Sequence, residues 1–110
     1  MVKDLFFVAR IRETARLAGV LAVFARTPDE LRRALAEPAR LILIDLTAGL
    51  DYDSLFAAAQ MASPRASVLG FTTHALASAT RPLHERCDRV VTKETLSQEL
   101  PTLLKEGIVA

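Results

Sequence analysis

Leu41-Ile42-Leu43-Ile44-Asp45 is the most hydrophobic run in the chain, and it ends on a carboxylate. Its residues are apolar in succession rather than alternately, the pattern of a parallel strand covered on both faces. Residues 4–8, 21–24 and 68–71 read the same way. A fifth run, Arg89-Val90-Val91-Thr92, is short and polar at its ends, as suits an edge strand. The equivalent end of the first run, after Leu5-Phe6-Phe7-Val8, carries no acid; it continues Ala9-Arg10.

Helical stretches lie between these runs. Residues 12–18 stop at Gly19, a residue suited to the left-handed position after a helix. Thr27-Pro28-Asp29-Glu30 supplies a cap, a proline at the first helical position and an acid three residues after the cap. Leu31, Ala34 and Leu35 then form the inward stripe, and Pro38 is expected to end the helix. Asp53-Ser54 can start a third helix carrying Leu55, Ala58, Ala59 and Ala62, ended near Pro64. In a fourth, Leu76, Ala79 and Leu83 share a face, and Pro82 should kink the helix or restart it at Thr80. A fifth carries Leu96, Leu100, Leu103 and Leu104, with Pro101 disturbing its first turns.

Five strands alternating with five helices predict an α/β fold of three αβα layers. The expected form is a flavodoxin-like (βα)5 doubly wound parallel sheet, with right-handed crossovers and strand order 2-1-3-4-5. The 110 residues suffice for one domain, 1–110, and not for two. In such a sheet the crevice lies at the carboxyl ends of strands 1 and 3. Asp45 and the Ala9-Arg10 pair fall there, as do Thr72-Thr73 after the fourth strand and Lys93 after the fifth.

Composition narrows the function classes. With 51% apolar and 25% charged residues the chain is compact rather than disordered. A net charge of +1 gives no electrostatic footprint for nucleic acid, and no run of like charge suggests a membrane-surface patch. The first apolar stretch is too short for a membrane span and no cleavage site follows it, so a cytoplasmic location is expected. Cys87 is alone, which leaves no disulfide framework and no thiolate cluster. His74 and His84 lack a cysteine or acid partner in sequence, so no metal site is expected from them. The four glycines are scattered singly, with neither a phosphate-cradling loop nor a nucleophile elbow. Enzymatic activity is therefore not expected.

With the strand ends in view, the sequence resembles, over essentially the whole chain, the receiver domain of two-component response regulators. In that family the third strand ends in the phosphoacceptor aspartate, matching Asp45 in Leu-Ile-Leu-Ile-Asp-Leu. The fourth ends in a Thr or Ser that turns toward the phosphoryl group, matching Thr72, with Thr73 one register away. The fifth ends in a phosphate-contacting lysine, and residues 87–93 align with the family's Gly-Ala-Asp-x-x-x-x-Lys stretch, ending at Lys93. Two departures stand out. The usual proline after that lysine is replaced by Glu94, and the adjacent acids that hold magnesium after strand 1 are replaced by Ala9 and Arg10. The resemblance is thus to an atypical, or pseudo-, receiver.

Magnesium is a hard cation that wants carboxylate ligands, and a pocket of one acid, Asp45, against Arg10 and Lys93 would repel it. The expectation is that the Arg10 guanidinium takes the metal position and pairs with Asp45. Glu13 and Asp51 are the acids near enough in sequence to serve as substitute ligands. A plainer account stays open: Asp45 as a capping or loop residue, Arg10 and Lys93 as solvated charges, Thr72 bonded to backbone. The function the resemblance implies is a stand-alone signalling module without a cofactor. It would bind a protein partner, or a second copy of itself, through the helix 4–strand 5–helix 5 face, around residues 75–86 and 96–105. The alternative is a working phosphoacceptor that takes a phosphoryl group on Asp45 from a histidine kinase, with magnesium, in a two-component phosphorelay. A third possibility is a small-ligand sensor with Arg10 and Lys93 as anion contacts.

Overall fold

The computed structural model describes residues 5–20, 22–25, 27–37, 40–61 and 66–106. Along the chain they form α1 (Leu5–Ala18), α2 (Pro28–Ala34), β1 (Leu41–Asp45), α3 (Tyr52–Gln60), β2 (Ser67–Thr72), α4 (Ala77–His84), β3 (Arg89–Thr92) and α5 (Lys93–Glu106). The three strands are parallel in the order β1-β2-β3, with Ile42 opposite Val68 and Phe71 opposite Val91. Parallel pairing requires crossovers, which α3 and α4 supply.

Both faces of the sheet are covered, which is why its strands are apolar residue after residue. On one face Ile42, Ile44 and Val68 pack with Leu31 of α2 and Leu55, Phe56, Ala58 and Ala59 of α3. On the other, Leu69, Phe71 and Val91 pack with Phe7 and Ile11 of α1 and Leu96, Leu100 and Leu103 of α5. The result is a compact α/β arrangement consistent with three αβα layers. Gly70 sits where the layers close in, since a Cβ there would come within 2.8 Å of Cys87 Sγ and 2.9 Å of Leu46 Cδ1.

The expected first strand is instead the start of a helix. Residues 5–8 belong to α1, and Asp4 lies outside the described residues. Phe7, Ile11 and Ala15 recur at intervals of four and are 4%, 4% and 2% exposed, so the helical period governs from Phe7 onward. The expected stop holds: Gly19 has φ +70°, its N–H donates to Arg16 O, and Val20 N–H donates to Ala15 O at 2.9 Å. That pair of bonds is a Schellman ending.

The expected second strand is also not formed in the described residues. Residues 22–25 have no regular structure, and Leu21 lies outside the description. Phe24 packs into the α1–α5 layer while Ala25 joins the opposite cluster, so adjacent apolar residues serve different layers. The observed strands are therefore the expected third, fourth and fifth.

The helix signals fare better. Thr27 caps α2 by accepting from Glu30 N–H, and Pro28 opens it. That helix ends at Ala34, and Pro38 lies outside the described residues. Asp51 caps α3, which starts at Tyr52; Ala62 and Pro64 are outside the description. In α4 the inward residue is Thr80, with Leu83 half-buried, whereas Leu76 and Ala79 are exposed. Pro82 sits on the exposed side of α4 without splitting it, and α5 likewise runs through Pro101.

Candidate functional site

Asp45 ends β1 on the face that Leu41 and Leu43 turn toward α1 and α5, and lies opposite Phe71. It is 5% exposed. Its Oδ1 accepts from Thr47 N–H at 2.9 Å and from the Thr47 hydroxyl at 2.7 Å, a side-chain-closed turn. The Tyr52 hydroxyl donates to the Asp45 carbonyl at 2.7 Å, tying the first residue of α3 to the strand end. Partial burial raises the Tyr52 phenol above its usual range and keeps it a donor. Leu46 N–H extends the ladder to Phe71 O, and Gly49, at φ +66°, lets the loop turn back. Among the described residues no protein donor reaches Asp45 Oδ2.

Thr72 ends β2 on the opposite face, one residue out of phase with Asp45. It is 2% exposed, beside Thr80 of α4, their hydroxyl oxygens 3.0 Å apart. Thr80 Oγ1 in turn lies 2.9 Å from His84 Nε2. Thr73 accepts Leu76 N–H and so shapes the turn into α4. Thr92, opposite Thr72, accepts Thr95 N–H at the start of α5.

Of the remaining sequence candidates, Ala9 and Arg10 are drawn elsewhere, whereas Lys93 directly follows the end of β3. Because residues 5–8 are helical, Ala9 and Arg10 fall on the exposed side of α1 rather than at a strand end. The Arg10 guanidinium donates to Ser97 O of α5 at 3.3 Å and does not occupy the place beside Asp45 that the sequence suggested. Lys93 is the first residue of α5, with Nζ 5.1 Å from the Phe7 ring centroid, a cation–π distance. No ion pair joins Asp45 to Arg10 among the described residues.

The substitute acids are engaged too. Glu13 is paired with Arg16, whose guanidinium lowers its pKa, and Asp51 is held low by Ser54 at the α3 cap. Among the described residues no group of three or more His, Cys, Asp or Glu side chains is placed to hold a metal ion. Cys87 is half-buried and its thiol is pushed up to about 11, chiefly by burial.

Sequence reasoning did not single out Thr47 or Tyr52, and it did not link Thr80 to His84 or to the strand end. Three of them had a local signal: Asp45-Leu46-Thr47 has the spacing of a side-chain turn, and Thr80 and His84 lie four apart on one helix. No helix among the described residues is long and apolar enough to cross a membrane. No family model, curated protein or solved structure matches the chain.

Proposed function

We propose that the protein is a signalling interaction module of the atypical-receiver kind, which regulates a protein partner by surface contact without magnesium-dependent phosphorylation. The observation that carries this reading is the state of Asp45. One carboxylate oxygen is used by Thr47, and the two cations set near it by the sequence contact Ser97 O and the Phe7 ring. Among the described residues, a phosphoryl group arriving there would meet no cluster of acids able to hold magnesium. In this reading the expected partner face is α4–β3–α5. The edge strand β3 lies between helices on opposite layers, and Leu76, 44% exposed, stands just before α4.

A second reading, a phosphoacceptor using magnesium, draws on one feature: Asp45 Oδ2 is left without a protein donor among the described residues. Incubation with acetyl phosphate and magnesium, followed by intact mass measurement, separates the two. Unchanged mass is the expected result. Addition of one phosphoryl group, lost in Asp45→Asn, would overturn the interaction-only reading. For the partner face, sedimentation of wild type and Leu76→Glu tests self-association, which in this reading weakens in the variant.

A further inference from the structure

We propose that residues 22–25 are an edge strap, placed beside β1 and poised to zip onto it as a fourth parallel strand. The inference stands apart from the partner face and from the chemistry of Asp45. In the order β1-β2-β3, β1 has a strand on one side only among the described residues. A sheet edge is a template for further pairing, and proteins commonly cover it.

The helices show what lies past that edge. α4 carries the chain from β2 to β3, and Arg86, just after it, pairs with Asp53 of α3 in the same layer. That puts α4 on the β3 side of α3, so α2, which also packs against α3, stands on the β1 side. Ala25 is buried in the α2–α3 layer. The ring of Phe24 packs into the opposite layer, its centroid 4.8 Å from the Arg12 guanidinium of α1. Neighbouring side chains reach opposite faces only where the backbone runs level with the sheet, as a strand does. The strap therefore passes along the outer edge of β1. With the strap parallel to β1, its link through α2 has the same hand as the crossovers through α3 and α4.

Backbone parity fixes which groups would meet. Ser67 N–H donates to Arg40 O and Leu46 N–H to Phe71 O, so the even-numbered residues of β1 face β2. Leu41, Leu43 and Asp45 direct their backbone groups to the outer edge, where Asp45 O accepts the Tyr52 hydroxyl at 2.7 Å. Residues side by side in a parallel pair share a face, so Phe24 aligns with an odd-numbered residue of β1 and turns its N–H away from it. Val23 and Ala25 then present their N–H groups to β1. Among the described residues no backbone hydrogen bond yet joins residues 22–25 to β1, and Val23 is 65% exposed. The strap is in place but not zipped.

Amide exchange measured by NMR on the full chain tests the strap. Relative to open-chain rates, Val23 and Ala25 should exchange about tenfold more slowly than Ala22 and Phe24, the worth of one backbone bond each. Couplings through the hydrogen bonds should join their nitrogens to β1 carbonyls at Leu41 or Leu43. Val23→Pro removes an N–H aimed at β1 and should release Ala25 to its open-chain rate. Ala22→Pro removes one aimed at solvent and should leave Ala25 protected. Exchange that lacks this alternation, or reverses it, overturns the proposal, as does equal loss of Ala25 protection in the two proline variants. If a proline variant does not fold, the alternation in wild type decides it.

Discussion

Pro101 has no N–H to give the carbonyl of Ser97, four residues before it in α5, and Arg10 supplies a donor from α1 at 3.3 Å. Its role in the fold is therefore to fill a gap in a neighbouring helix. Arg10→Ala should cost about 0.5–1.5 kcal/mol of stability in urea unfolding, the worth of an ordinary hydrogen bond. In a Pro101→Ala background, where the helix regains its own N–H, the same substitution should cost less; strictly additive losses would show that the carbonyl is not the link. Cys87 gives a second test. Its thiol rises from the ordinary 9.0 to about 11, so the folded state holds this proton more tightly than the unfolded chain does. That contribution is whole below about pH 9, declines as pH rises and is gone above about pH 11. Urea midpoints measured across this window should fall less steeply in Cys87→Ala than in wild type. Neither effect was readable from sequence, because each depends on a partner that folding brings close: Ser97 for Arg10, and the packing around Gly70 for Cys87.

At the scale of elements, α1 is where local pattern misled. Leu5-Phe6-Phe7-Val8 taken alone fits a buried strand as well as a helix, and only the continuation through Ile11 and Ala15 separates the two periods. Ala9→Pro tests the difference: within α1 it removes a helix bond and should cost about 3 kcal/mol, whereas after a strand end it would be nearly silent. Elements with chemical punctuation were legible. Thr27-Pro28 started α2, Gly19 ended α1, and the leucines at 96, 100 and 103 turned inward from α5. In α4 the expected face was rotated, because the helix begins at Ala77 and meets the polar end of β2, so Thr80 rather than Leu76 faces inward.

For the molecule as a whole, β2 is the element on which the others close. It has a strand on each side and a helix layer on each face, and Val68 through Thr72 are all buried. Amide hydrogen exchange should accordingly be slowest over residues 68–72, slower than in β3 or α1; greater protection in either of those would mean that the core is organised around another element. By itself the sequence determined the α/β class, the three successive strands from Leu41 onward and the helices between and after them. Contiguous apolar runs and capping residues act within a few positions of one another, so those features could be read locally. Tertiary structure alone decided that residues 5–8 are helical, that Asp45 and Thr72 face opposite layers, and that Arg10 answers to Ser97. Each depends on which distant backbone group or apolar surface a side chain meets once the layers pack, and spacing along the chain carries no record of that.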